Sequence, residues 1–129
     1  MCLLDAVVVW DDLTIDCISS THQNSANPLW RAGQLAAVHA FEYAAQAAAV
    51  HGGLRARAAG QAAPRCFLVA LRDATLRVSR LDDIPQPLEV HARRLFGDRG
   101  NTVYHCIVRA GQKSLADARI TIMVMPPDS

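Results

Sequence analysis

An α+β fold, one long central helix wrapped by a curved antiparallel sheet of about six strands, is predicted by three observations. Residues from about Gln34 to His51 form a helical stretch that is apolar on nearly every side. Two strand-like segments precede it and four follow it. No helical pattern separates the later four, so neighbours joined by short turns should pair antiparallel.

Taken in order, Cys2 to Trp10 gathers Leu3, Leu4, Val7, Val8 and Val9 into a first strand, and Leu13 to Ile18 alternates apolar with polar residues as a second. Asp11-Asp12 reads as the turn between them. From Ser19 to Gly33 the composition changes to Ser, Thr, Asn, Pro and Gly, with a turn at Asn27-Pro28; unstructured loops of about fifteen residues in compact domains are usually functional or mobile. The helix follows. Leu35, Val38, Phe41, Val50 and a series of alanines leave it no broad polar face, so it should be covered on most sides. Gly52-Gly53 reads as its end, the first glycine taking the left-handed cap conformation, with His51 complementing the carbonyl dipole. After a linker from Leu54 to Pro64, strands are expected at Cys66 to Val78, Leu88 to Leu95, Thr102 to Val108 and Leu115 to Met125. Turn signals fall at Asp82-Asp83, Pro85 to Pro87, Gly97 to Asn101 and Gly111-Gln112. One helix enclosed by a bent antiparallel sheet is the arrangement called a hotdog.

At 129 residues the chain favours one domain spanning 1–129. Thirteen Lys and Arg against twelve Asp and Glu leave a formal charge of +1, without the strongly basic footprint of a nucleic-acid binder. The hydrophobic fraction is 51%, yet the run from Leu35 to Val50 is broken by His39, Glu42 and Gln46, short of the roughly 20 apolar residues of a membrane span. Cys2, Cys17, Cys66 and Cys106 form no CxxC pair and follow no cleavable signal, which fits a reduced, cytoplasmic setting. Cys17, Cys66 and Cys106 sit among apolar neighbours as small hydrophobes. Neither zinc nor any other cofactor is expected.

Glu42 is the most informative residue. A carboxylate isolated in an apolar helix tends to stay protonated, its pKa raised by desolvation, as general-acid catalysis requires. The alternative places Glu42 on an exposed edge of the helix or beside an arginine. Gln46 lies one turn after Glu42, and His39 lies three residues before it, on the same face. A His-x-x-Glu pair on a single helix supplies too few ligands for a metal. His91 and His105 fall on expected strands as ordinary residues. His22 lies on the long loop, where a rigid scaffold commonly places catalytic groups, and an imidazole with a pKa near about 6.5 suits a base.

Glu42-Tyr43-Ala44-Ala45-Gln46-Ala47 resembles the helix signature of hotdog 3-hydroxyacyl-acyl-carrier-protein dehydratases, in which a Glu and a Gln one turn later face the substrate tunnel. Leu3-Leu4-Asp5 resembles that family's first strand. Asn27-Pro28-Leu29-Trp30-Arg31-Ala32-Gly33, together with Ala49-Val50-His51-Gly52, resembles the small dehydratase-like proteins of aryl polyene pigment pathways. The resemblance covers most of the chain and is weakest over the last three strands. It implies that Glu42 is the acid and His22 the base, with Gln46 and His39 beside the substrate. Backbone amides at the helix start, around Ala36 and Ala37, would polarise the thioester carbonyl. The departures lie in the loop: the spacing from His22 to Glu42 is longer than in the family, its Pro-Gly elements are absent, and Asn27 sits nearer the counted position of the histidine. The family also carries residues ahead of the first strand, whereas Met1 begins almost on it.

The implied reaction is dehydration of 3-hydroxyacyl chains on acyl carrier protein to trans-2-enoyl thioesters, by a homodimer or by a heterodimer with another hotdog protein. The alternatives are a non-catalytic hotdog subunit supporting a partner dehydratase and a hotdog acyl thioesterase. Arg31, Arg55, Arg57, Arg93 and Arg94 would supply a basic rim for the acidic carrier protein, or else lie scattered in solvent.

Overall fold

In the computed structural model, residues 2–62, 64–98 and 100–125 are described. Met1, where the chain begins close to its first strand, lies outside them, as do Ala63 of the expected linker and Arg99 of the expected turn at Gly97 to Asn101. Six strands, β1 (Ala6–Trp10), β2 (Thr14–Ser19), β3 (Arg65–Leu76), β4 (Leu88–Asp98), β5 (Asn101–Ala110) and β6 (Lys113–Met125), form one antiparallel sheet in the order β1-β2-β4-β5-β6-β3. One long helix, α1 (Ala40–Ala58), lies between β2 and β3 in sequence and packs on the concave face against β2, β4, β5 and β6. This is the architecture expected of the sequence.

The period-2 pattern decides which side of each strand meets the helix. Ile15 and Cys17 on β2, Val90 and Ala92 on β4, Tyr104, Cys106 and Val108 on β5 and Ala118, Ile120 and Ile122 on β6 are all buried. Alternate positions on β5, such as His105 and Arg109, face outward. Ala40, Ala44, Ala47, Ala48 and His51 recur at helical spacing and are buried on the facing side of α1, with Phe41 and Tyr43. The alanines let the backbone of α1 approach the sheet closely, while burial of residues such as Ile15, Leu88 and Ile120 stabilises the fold by about 1.5–3 kcal/mol each. Cys17 and Cys106 are part of this core, and burial pushes their thiols up to about 11 and about 12.

The helix differs from the sequence reading at both ends. Its register begins at Ala40, after a 3-10 turn at Ala37–His39, because Leu35 to Ala37 are drawn into a bridge with the β3–β4 connection. At the other end it runs through Gly52-Gly53 and the first part of the expected linker, since Leu54 to Ala58 are good helix formers. The cap falls on Gly60. Its φ of +75° is in the left-handed region, its N–H donates to the Arg57 carbonyl at 3.0 Å, and Gln61 N–H donates to Ala56 at 2.8 Å, the paired bonds of a Schellman motif.

His51 is accordingly not at a helix terminus. It is fully buried; Nε2 bonds the Asp11 carbonyl at 2.8 Å, and Nδ1 lies 2.7 Å from the Tyr104 hydroxyl. Burial pushes its pKa below the ordinary value, so the ring is neutral, with Nε2–H donating to Asp11 and Nδ1 accepting from Tyr104. It thereby ties the β1–β2 turn to α1 and β5.

Candidate active site

Glu42 occupies the first turn of α1 with its side chain 48% exposed, at an open depression of about 360 Å3 lined also by Leu3, Pro28, Leu29, Ala45, Gln46 and Leu68. The burial expected from its apolar neighbours is not supplied by this chain alone. The reason is position: Glu42, Ala45, Gln46 and Ala49 form the helix stripe turned towards β3, which α1 barely meets.

Three groups of hydrogen bonds build the walls. The amino-terminal segment is strapped across the helix by Leu3, whose N–H donates to Gln46 Oε1 at 2.7 Å and whose carbonyl accepts from the Ser19 and Thr21 hydroxyls. Gln46, expected beside the substrate, therefore lines the depression and holds its rim. In the long loop, Asn27 is buried; its Nδ2 donates to the Thr21 carbonyl at 3.1 Å and to Tyr43 Oη at 3.2 Å, and its Oδ1 accepts from Leu29 N–H at 3.0 Å. This network, completed by Thr21 and Tyr43 hydroxyls 2.7 Å apart, sets Pro28 and Leu29 over the helix. The third group fixes the approach to α1. Asp82 accepts from Leu35 N–H at 2.8 Å and from the Arg80 guanidinium, which holds its carboxyl down at about 2.

His39 stands at the end of the 3-10 turn with Nδ1 3.3 Å from Glu42 Oε1, three residues on, without a hydrogen bond between them. His22 is placed elsewhere. It is fully buried in a 3-10 turn at Thr21–Gln23, with Nε2 3.0 Å from the Ile84 carbonyl, and burial pushes its pKa below the ordinary value. The neutral ring donates Nε2–H to that carbonyl, leaving Nδ1 with its lone pair. It does not line the depression that holds Glu42.

The expected carbonyl-polarising amides also lie apart. Ala37 N–H donates to the Ser79 carbonyl at 3.1 Å, and Ala36 bridges Arg80, so neither faces the depression. Chain ahead of the helix is thus held by an isolated bridge to the β3–β4 connection rather than left as an open helix start. The expected basic rim also disperses: Arg55 pairs with Asp12 at 3.0 Å, Arg94 is part-buried opposite Tyr104, Arg93 is exposed opposite His105, and Arg31 sits by Pro28 and Trp30. His91 pairs with Asp16 at 2.7 Å across β2 and β4. Among the described residues no cluster of three metal-binding side chains occurs, and no helix is long and apolar enough to cross a membrane.

Sequence reasoning missed Leu3, Pro28, Leu29 and Leu68 as lining residues, which carry no chemical signal beyond being apolar. Asn27 had a signal, its position near the family's histidine.

A six-stranded antiparallel sheet wrapped on one helix, with a carboxylate at the start of that helix, defines a hotdog protein. Among solved structures, the dehydratase heterocomplex ApeI:P from Xenorhabdus doucetiae superposes with a TM-score of 0.88 at 19% identity, covering 98% of this chain and 84% of that one. A mutant thioesterase from Pseudomonas aeruginosa gives 0.66 at 16% identity over 93% and 80%, and a thioesterase from Haemophilus influenzae gives 0.66 at 13% over 93% and 77%. These likenesses carry the fold. No curated protein matches the sequence. The model of the ApeP-like family, described as ApeP dehydratase, matches residues 1–129, and the chain belongs to that family.

Proposed function

We propose that this chain dehydrates 3-hydroxyacyl chains borne on acyl carrier protein, giving the trans-2-enoyl thioester and water in polyene or fatty-acid-type elongation. The observation that carries the reading is a carboxyl, Glu42, at an apolar depression on the central helix, with the His39 imidazole 3.3 Å from it just outside the lining. In the reaction a neutral imidazole removes the α proton, the electrons of that C–H bond form the double bond, and the carbon–oxygen bond breaks as Glu42 donates its proton to the departing hydroxyl. Each proton transfer is worth roughly 10²- to 10⁴-fold. Imidazolium and carboxylate remain, and proton exchange with water, the imidazolium giving one up and the carboxylate taking one, resets both groups.

The resemblance nominates His22 as the base. Its neutral state and its Nε2 bond to Ile84 suit the role chemically, but it is fully buried and does not line the depression, and the contact with Glu42 favours His39 as the base acting with the Glu42 of the same chain. His22 acts only if a second subunit completes a tunnel that reaches it. The exposed Glu42 and the open wall at Leu68 support assembly with a second hotdog subunit, as a homodimer or heterodimer, and the heterocomplex relative is consistent with the latter. The second reading, a non-catalytic subunit supporting an active partner, is favoured by the absence of both His22 and His39 from the lining of the depression that holds Glu42.

The test is Glu42→Gln in the purified complex. Loss of enoyl product with the thermal transition unchanged supports the acid assignment, and full turnover overturns it. Activity that instead follows a carboxylate of the partner supports the non-catalytic reading. Release of free thiol in place of enoyl product would identify a thioesterase.

A further inference from the structure

The outer face of the sheet, turned away from α1, carries a line of three arginines and a histidine that the dehydration chemistry does not use. Arg93 on β4 stands directly opposite His105 on β5, His105 opposite Arg119 on β6, and Arg119 opposite Arg72 on β3. Directly opposed residues share a face. Tyr104 and Cys106, the neighbours of His105 in sequence, are buried towards the helix, so this row looks outward. With strands about 4.8 Å apart, it spans about 14 Å.

Like charges set directly opposite one another destabilise a sheet. Among the described residues Arg72, Arg93 and His105 have no carboxylate partner, and Arg119 reaches only the exposed Asp73, at 3.9 Å. Asp117, which also borders the shallow depression of about 420 Å3 between Arg93, His105 and Arg119, is engaged by Arg77 at 3.1 Å. A row in which Arg72 and Arg93 have no carboxylate partner, and Arg119 only a 3.9 Å contact with an exposed one, fits anions brought by another molecule.

We infer that Arg72, Arg119, His105 and Arg93 form a docking strip for an acidic helix of the carrier protein that delivers the acyl chain; this rests on the carrier-borne substrate proposed above. Carboxylates one turn apart on a helix are about 5–6 Å from each other, so three turns match the length of the row. The strip is one residue wide. It is bordered by Asp16 on β2, paired with His91, and by Asp73 and Asp117 at the depression, carboxylates that would repel the broad phosphate surface of a nucleic acid or an anionic membrane. A formal charge of +1 points the same way.

The experiment measures binding of fluorescein-labelled apo acyl carrier protein to the assembled protein, by anisotropy at rising NaCl, for wild type, R93A/R119A and R93E/R119E. Turnover is followed with a carrier-bound substrate and with its small pantetheine thioester. Wild-type binding should weaken with salt, and charge reversal should raise Kd by about tenfold or more. Turnover should fall through KM on the carrier-bound substrate only. The alanine pair should keep or raise the melting temperature, since it relieves like-charge contacts. An unchanged Kd, or equal loss on both substrates, overturns the strip, as does tighter salt-sensitive binding of RNA or anionic vesicles through the same arginines. If wild type dehydrates neither substrate while charge reversal still abolishes binding, the reaction is wrong and the strip stands. If both substrates turn over and Kd is unmoved, the strip is wrong and the reaction stands.

Discussion

His39 and Glu42 stand one helical turn apart with Nδ1 3.3 Å from Oε1, His39 closing the 3-10 turn that leads into α1 and Glu42 in the first turn of α1. The contact sets an imidazole beside the carboxyl that lines the depression. His39→Gln removes the base while keeping a polar side chain, and should lower kcat by about 10²- to 10⁴-fold. The His39 side chain is 25% exposed, so native circular dichroism of the variant is the check that it folds. Full turnover in His39→Gln, with loss in a folded His22 variant, would transfer the role to His22 and require a second subunit at the site.

Opposite effects are expected from alanine at two glycines of the helix. Gly52 lies in the interior of α1 with open space where a Cβ would stand, so Gly52→Ala should stabilise by about 0.5–1 kcal/mol. Gly60 has φ +75° in the cap, and Gly60→Ala should destabilise by about 1–2 kcal/mol. Urea midpoints with an unchanged slope measure both, and stabilisation at Gly60 would contradict the cap geometry.

That pair also marks how far the sequence could be read. Strand positions and antiparallel order were legible because Ile15, Cys17, Tyr104, Cys106 and Val108 alternate with polar neighbours, a period that burial on one face imposes. Helix ends were not. Gly52-Gly53 carries a stop signal, but the buried contacts of Ala47, Ala48 and His51 and the good helix formers beyond carry the helix past it. Glu42 could be found from its isolation among apolar residues, but its exposure was hidden, because a one-chain pattern does not reveal which stripe a sheet leaves uncovered. His22 was placed on the loop but not in the core, since its bond to Ile84 joins segments far apart in the chain.

Acidification should weaken the fold in two stages. Burial holds His22 and His51 below the ordinary imidazole pKa, so near about pH 6.5 the unfolded chain binds protons that the folded chain does not. Their contribution is complete above that pH and is lost as pH falls through the folded values. Asp82, held at about 2 by Arg80, contributes above about pH 4 and ceases to as pH falls towards 2. Urea midpoints should therefore decline from pH 7 to 5 and again below 4, by the sign of those shifts. His51→Gln should flatten the first stage, and a midpoint independent of pH across it would remove the histidines from the account.

Two sheet edges remain open, and they are unequal. β1 has five residues, with Val8 65% exposed; β3 has twelve, with Phe67, Leu68, Val69 and Leu71 all more than 40% exposed. At about 3.4 Å per residue β3 offers about 40 Å of edge, far more towards the roughly 1,000 Å2 that a stable interface must bury. Leu68 also lines the depression beside Glu42, so a subunit paired along β3 would cover the site as it covers the edge. Val69, at an irregularity in the β3–β6 register, gives a variant outside the depression. A lysine on an edge strand opposes pairing, so Val69→Lys should yield folded monomers in light scattering with native circular dichroism, and turnover should disappear with assembly. Val8→Lys should leave both intact. Loss of assembly with Val8→Lys alone would move the interface to β1 and leave Glu42 uncovered, which would in turn weaken its assignment as the acid.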